Sequence, residues 1–257
     1  MRDIFSLQGK KAVVIGGTKG LGKEMAKALS QAGAVVVIAS RNEQECEEQS
    51  KKLQNETEKT VYGIVGDIST CAGARQIICK AEDKLGGIDI LVNSAGINIR
   101  KPSMDYTEQD WDEVQNVQLK GPFFTCQTAA KAMVENNVKG RIINIASINA
   151  KIIARPDIVS YVAAKGAVMQ MTKALAVEWA AYGITVNSIA PGFFETEMTK
   201  VLFEDKKISR KLLEHIPVGR FGNPMTDLAG IVVYFASDAS QYTTGQMICI
   251  DGGYTCV

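Results

Sequence analysis

Short runs of consecutive apolar residues, rich in Val and Ile, recur along the chain at 12–15, 34–39, 61–65, 88–92, 141–145, 184–189 and 247–250. The apolar positions within each run are continuous and do not alternate with polar ones, the pattern of a strand buried on both faces. Between the runs lie segments with helical spacing, at 21–30, 41–55, after the third run to about 84, and at 107–136, 160–181 and 226–237. Strands alternating with helices predict an α/β fold, a doubly wound parallel sheet of seven strands with helices on both faces. No repeat, linker or low-complexity stretch breaks the rhythm, so one domain over 1–257 is expected. Only 193–217, rich in Phe, Glu and Lys, stands outside it, and a substrate lid is expected there.

Composition narrows the function classes. Hydrophobic residues make up 46% and charged residues 22% of 257, which is ordinary for a folded protein and excludes disorder as the main state. A net charge of +1 gives no electrostatic footprint for nucleic acid or an anionic membrane. The longest uncharged stretch, 179–194, is too short and too polar to span a bilayer, and the first residues carry no signal-peptide core. Six cysteines without a CxxC pair suit a reducing compartment and apolar packing. A cytoplasmic protein with a small-molecule substrate and no nucleic-acid or membrane partner is expected. The single histidine, His215, rules out polyhistidine metal sites, so no metal is expected, and it reads as a surface or lid residue. No GxSxG occurs, which disfavours a nucleophile-elbow hydrolase.

The first run leads into Gly16-Gly17-Thr18-Lys19-Gly20-Leu21-Gly22 and then a helix. Glycines there let the backbone turn tightly and approach a pyrophosphate, and the helix N-terminus offers free N–H groups and a positive dipole end. The spacing is GxxxGxG and not the commoner GxGxxG. The second run ends in Ser40-Arg41, with no acid before Glu43. An acid at this place suits a ribose 2′-hydroxyl and an arginine a 2′-phosphate, so Arg41, with Lys19, favours NADP(H) over NAD(H).

Tyr161 and Lys165 lie four apart at the start of a helix and share a face. A free tyrosine, with pKa near 10, is a poor base at neutral pH, and a nearby ammonium pulls that value down. Such a tyrosine can exchange a proton with an alcohol or carbonyl oxygen. Ser147, after the fifth run, could hold the same oxygen. The glycine loop, Asn93-Ser94-Ala95-Gly96, Ser147, the Tyr161/Lys165 pair and Pro191-Gly192 occur in this order, all where strands end.

From about Gly9 to Gly253 the chain resembles the short-chain dehydrogenase/reductase family. The resemblance implies a Rossmann-like sheet of order 3-2-1-4-5-6-7 and hydride transfer between a nicotinamide and a carbonyl or alcohol. It implies Tyr161 as acid/base, Ser147 as the residue orienting the substrate oxygen, and Lys165 as ribose ligand and modulator of Tyr161. Asp67, with Ile68, is similar to the adenine-contacting acid of the family. Asn93, Ala95 and Gly96 would line the adenine-ribose side, and Pro191, Gly192, Phe194 and Thr196 the nicotinamide end. A homotetramer or homodimer is implied, the helical segments 107–136 and 160–181 packing across a two-fold axis.

Three departures stand out. Ile15 replaces the threonine that usually precedes the glycine loop, NSAG replaces NNAG, and Gln118 stands where the family carries a catalytic asparagine. Asn116 lies two residues before Gln118, about 200° away on a regular helix, so either Gln118 supports the proton relay or a water does. Arg100 and Arg155 flank the expected site and would suit an anionic substrate, with Arg100 holding a carboxylate. The strings Ala-Gly-Ile-Asn-Ile-Arg100 and Pro-Gly-Phe-Phe-Glu-Thr-Glu-Met198 are most similar to the gluconate 5-dehydrogenase branch, with substrates such as gluconate or 5-keto-gluconate. The 3-oxoacyl-carrier-protein reductases share most of the scaffold. A nucleotide-sensing regulator without strong catalysis is the alternative of another class, kept open by Gln118.

Overall fold

The computed structural model describes residues 3–196 and 199–257. Strands β1 (Lys11–Ile15), β2 (Val35–Ser40), β3 (Val61–Val65), β4 (Ile90–Asn93), β5 (Arg141–Ile145), β6 (Thr185–Pro191) and β7 (Met247–Ile250) form one all-parallel sheet in the order β3-β2-β1-β4-β5-β6-β7. Their Val and Ile side chains are stiff at χ1 and fit a pleated, covered surface. The helices are α1 (Gly20–Gln31), α2 (Glu43–Thr57), α3 (Cys71–Leu85), α4 (Glu108–Gln115), α5 (Gly121–Glu135), α6 (Val159–Trp179), α7 (Lys200–Glu204), α8 (Lys206–Glu214), α9 (Pro224–Asp227) and α10 (Ala229–Ala236).

Successive strand residues serve opposite layers, as the two-residue period demands. Ala12, Val14, Val36 and Ile38 pack with Met25 and Leu29 of α1 and Val232 and Phe235 of α10. Val13, Ile15, Val37 and Leu91 pack with Ile77 and Ile78 of α3, Met133 of α5 and Leu175 of α6. Every residue of β4, β5 and β6 is buried. This double burial is why the strand runs read as apolar throughout.

The expected helix over 107–136 is divided. Between α4 and α5 the residues Asn116–Lys120 form a π-helical turn, and the Gly121 N–H reaches back to the Asn116 carbonyl. Pro122 follows and has no N–H to bond the carbonyl four residues back, and a Cβ on Gly121 would lie 2.3 Å from the Ile68 carbonyl. The wider turn absorbs both constraints. The 200° separation of Asn116 and Gln118 therefore does not hold, because that arithmetic belongs to a regular α-helix.

Segment 193–217 is not irregular throughout. It holds α7 and α8, while Glu197 and Met198 lie outside the described residues. Phe203, Ile208, Leu212 and Leu213 pack beside Ile148, Phe193 and Ile216 in a small satellite core. His215 is exposed and ends α8, its Nδ1 2.8 Å from the Lys211 carbonyl. Among the described residues no helix is long and apolar enough to cross a membrane, and no three His, Cys, Asp or Glu side chains cluster to hold a metal ion.

The chain leaves β1 towards β2 on one side, and β4 pairs with β1 on the other. Open α/β sheets form their ligand crevice at the carboxyl ends of the strands beside such a reversal.

Candidate active site

A cavity of about 1160 Å³ opens at that edge. Its floor is the glycine loop: Gly16, Thr18, Lys19, Gly20, Leu21 and Gly22 all line it. Helices α2, α3 and α4 are capped by side chains, from Asn42, Thr70 and Thr107. Helix α1 has no side-chain cap, and its first residues, Gly20, Leu21 and Gly22, line the cavity. The loop holds its shape by close approach. A Cβ on Gly22 would lie 2.1 Å from the Gly16 carbonyl, and one on Gly16 2.6 Å from the Ala95 backbone. An uncapped helix start behind a loop too tight for side chains is what a pyrophosphate requires, so these residues fit a dinucleotide.

Ser40 and Arg41, at the end of β2, line the same cavity and also a recess of about 100 Å³ with Asp67, Ile68, Ala95 and Gly96. The recess is where an adenine would lie. The large cavity carries more acid beside Arg41 than the bare motif implied. Glu43, Glu45 and Glu47 line the cavity, and Lys19 Nζ pairs with Glu45 Oε1 at 2.8 Å. At the other end stand Pro191, Gly192, Phe194 and Thr196, with Thr199 joining them. The Thr196 N–H donates to Thr199 Oγ1 at 2.9 Å.

Ser147, Tyr161 and Lys165 meet between the two ends. Lys165 Nζ lies 5.6 Å from the centre of the Tyr161 ring and donates to the Ile145 carbonyl at 2.6 Å. Burial pulls the Lys165 pKa down to about 7. Burial pushes the Tyr161 pKa up, opposed in part by its hydrogen bond with Ser147. The downward shift expected from the nearby ammonium is therefore reversed, because burial disfavours charge on both groups.

Gln118 is buried in the π turn and lines the cavity. Its Nε2 donates to the Ile97 carbonyl at 2.5 Å, while Oε1 is buried without a hydrogen-bond partner.

Three expected residues, Asn93, Arg100 and Arg155, are not among those lining the cavity or the recess. Asn93 does not line the cavity; its Nδ2 donates to Asn144 Oδ1 at 3.0 Å and its Oδ1 accepts from Thr125 Oγ1 at 2.7 Å, deep between sheet and helix. All of its short side chain is spent bracing the core. Arg100 is exposed and is not among the lining residues of the cavity. It stands near Arg155, whose Nη1 is buried without a hydrogen-bond partner. Burial first, then the Arg100 charge, hold the Arg155 guanidinium below its ordinary pKa, with the Asp157 carboxylate opposing them. Asn149, which no motif marks, contacts Ser147 directly through its backbone N and Nδ2.

A protein-family model described as enoyl-(acyl carrier protein) reductase, of the short-chain dehydrogenase/reductase type, matches residues 16–255. The chain is a short-chain dehydrogenase/reductase. It is an oxidoreductase built on a Rossmann-like sheet, with the strand order that membership implies. The chain is similar to the gluconate 5-dehydrogenase of Gluconobacter oxydans, at 36% identity over 253 residues, covering 98% of this chain and 97% of that protein. It is 40% identical over 251 residues to the 2-dehydro-3-deoxy-D-gluconate 5-dehydrogenase of Escherichia coli, covering 97% of each. The crystal structure of a gluconate 5-dehydrogenase from Burkholderia cenocepacia, in complex with NADP and tartrate, matches with a TM-score of 0.94 at 38% identity, covering 99% of this chain and 98% of that one.

Proposed function

We propose that this short-chain dehydrogenase/reductase moves a hydride between NADP(H) and a secondary alcohol or ketone of a small sugar acid, such as gluconate or 5-keto-gluconate. The observation that carries the substrate class is Arg155, with a buried, unpartnered Nη1 and a second guanidinium, Arg100, nearby. An unpaired buried donor is costly, and a carboxylate would satisfy it and relieve the repulsion between like charges. Ala154 donates its N–H to Asn149 Oδ1 at 3.0 Å, which ties this arm to the turn after Ser147. Curated relatives named for gluconate chemistry support the same reading.

The nicotinamide supplies or takes up the hydride when bound. The chain's own groups handle the proton and the oxygen. In reduction, Tyr161 gives its proton to the carbonyl oxygen, and Ser147 holds the same oxygen. In oxidation, the Tyr161 phenolate takes the alcohol proton. Lys165, close to the Tyr161 ring, would hold the ribose and favour that phenolate, and Gln118, through its unpartnered Oε1, would support the relay. Arg41 and Lys19 would receive a 2′-phosphate, so NADP(H) is favoured over NAD(H) although Glu45 shares Lys19.

Segment 193–217 would close over the nicotinamide end as a lid. The enzyme would act in the cytoplasm as a homotetramer or homodimer. The exposed apolar Trp111, Val134, Val159 and Val177 on α4, α5 and α6 would meet their copies across a two-fold axis.

The test compares 5-keto-gluconate with an acetoacetyl thioester and a neutral ketone, with NADPH and with NADH. Arg155→Ala and Arg100→Ala should raise KM for the acid about 10- to 150-fold and spare the neutral ketone. Arg41→Ala should reduce the preference for NADPH. Robust thioester turnover with none of the keto acid would overturn the substrate class, and a wild-type preference for NADH would overturn the cofactor choice.

A further inference from the structure

We propose that Asn149 is a positioning residue that commits Ser147 to donate its hydroxyl hydrogen to the reacting oxygen. The direction of every bond around it is forced. Ala154 presents a backbone N–H, which can only donate, so the atom facing it at 3.0 Å must be Asn149 Oδ1. The other end of the same amide is then Nδ2, which can only donate, and it faces Ser147 Oγ at 3.2 Å. The Asn149 backbone N–H also donates to Ser147 Oγ, at 3.1 Å. A hydroxyl oxygen has two lone pairs, and here both are occupied. Ser147 is left with one function, its own O–H as donor.

Tyr161 lines the same cavity, and the Ser147 hydroxyl acts on its phenol to lower the pKa against burial. A serine donating to a phenol oxygen favours the phenolate, the direction in which this bond acts on Tyr161. Lys165, from the same helix as Tyr161, is the buried cation beside the pair. When a substrate oxygen enters between Ser147 and Tyr161, the serine must donate to it. It polarises a ketone and steadies the alkoxide that develops, an interaction stronger in the transition state than in the ground state. A serine with a free lone pair could instead accept the Tyr161 hydrogen and divert the proton needed for the substrate. Asn149 closes that option, and its Oδ1 holds the arm carrying Arg155 at the same time.

The deciding variant is Asn149→Asp. It keeps an acceptor for the Ala154 N–H and replaces the Nδ2 donor with a carboxylate oxygen, which draws the Ser147 hydrogen towards itself. Each variant is assayed with whichever carbonyl compound the wild type reduces fastest, so a wrong substrate class leaves the comparison intact. Asn149→Asp should lower kcat about tenfold or more with little change in KM. In the oxidation direction the ascending limb of the pH profile should move to higher pH, since Tyr161 loses a donor and gains a negative neighbour. Asn149→Ala, which leaves the backbone N–H in place, should lose less. In a Ser147→Ala background the effect of Asn149→Asp on kcat should be much smaller than in the wild type, since only the added charge still acts on Tyr161. A wild-type kcat and pH profile in Asn149→Asp would overturn the assignment. So would equal losses in the Asp and Ala variants with an unmoved pH limb, the signature of a loop brace alone.

Discussion

Replacing Lys165 by methionine should stabilise the nucleotide-free protein at neutral and acid pH while abolishing turnover. Lys165 is 6% exposed, and burial takes its pKa from 10.5 to about 7. Between those two values the unfolded chain binds the proton more tightly than the folded one, so stability rises with pH across that window. Below about pH 7 both states are protonated and the whole penalty stands. The interval is equivalent to about 5 kcal/mol at about 1.4 kcal/mol per pH unit. Methionine removes that penalty but strands the Ile145 carbonyl, which accepts from Nζ at 2.6 Å. An unsatisfied buried acceptor costs about 1–3 kcal/mol. The net gain at pH 6 is then about 2–4 kcal/mol, a rise in Tm on the order of 10 °C for a chain of this size. Above pH 10.5 the penalty has vanished and only the stranded carbonyl remains, so the variant should melt below the wild type. Circular-dichroism melts at pH 6, 8 and 10, at one protein concentration and without nucleotide, read the difference directly. A variant that melts below the wild type at pH 6, or one whose Tm difference does not change with pH, would refute the reasoning.

Tyr161→Phe should lose at least about 10²-fold in kcat while binding NADPH normally by fluorescence titration, because the proton carrier alone is removed. Gly22→Ala drives a Cβ to 2.1 Å from the Gly16 carbonyl. It should lower stability by about 1–3 kcal/mol in a urea titration and raise KM for NADPH. Gln118→Leu keeps the volume but strands the Ile97 carbonyl and removes Oε1. We expect a kcat loss of about tenfold with nucleotide affinity retained, and full turnover with an unaltered pH profile would remove Gln118 from the relay.

The strands were legible because burial on both faces leaves long apolar runs. Those at Arg141–Ile145 and Met247–Ile250 fall where the pattern places them. That Ser147, Tyr161 and Lys165 line one cavity was legible because their motifs occur in a fixed order along the chain. The π turn at Asn116–Lys120 was not, since it depends on Pro122 and on how closely Gly121 sits beneath Ile68. The shift of Tyr161 was misjudged for a similar reason: spacing reveals a neighbouring charge, but burial appears only in three dimensions. Asn93 belongs to a glycine-containing motif that does line the site, yet its own side chain turns inwards. Asn149 acquires its role from a short 3₁₀ turn that folds it back on Ser147. No spacing rule marks such a contact.

The inward turn of Asn93 has a consequence for how the chain folds. Strands β4 and β5 are buried on both faces and their apolar residues are similar in kind, so hydrophobicity alone discriminates weakly between correct pairing and a slide along the strand. Asn93 stands opposite Asn144 across that pair, and Asn144 Nδ2 donates onward to Thr172 Oγ1 at 3.1 Å. Thr125 and Cys126 of α5 complete the cluster. A misaligned ladder would leave these amides dry and unanswered, at about 1–3 kcal/mol each. The pair thus adds to the cost of a misaligned β4–β5 ladder.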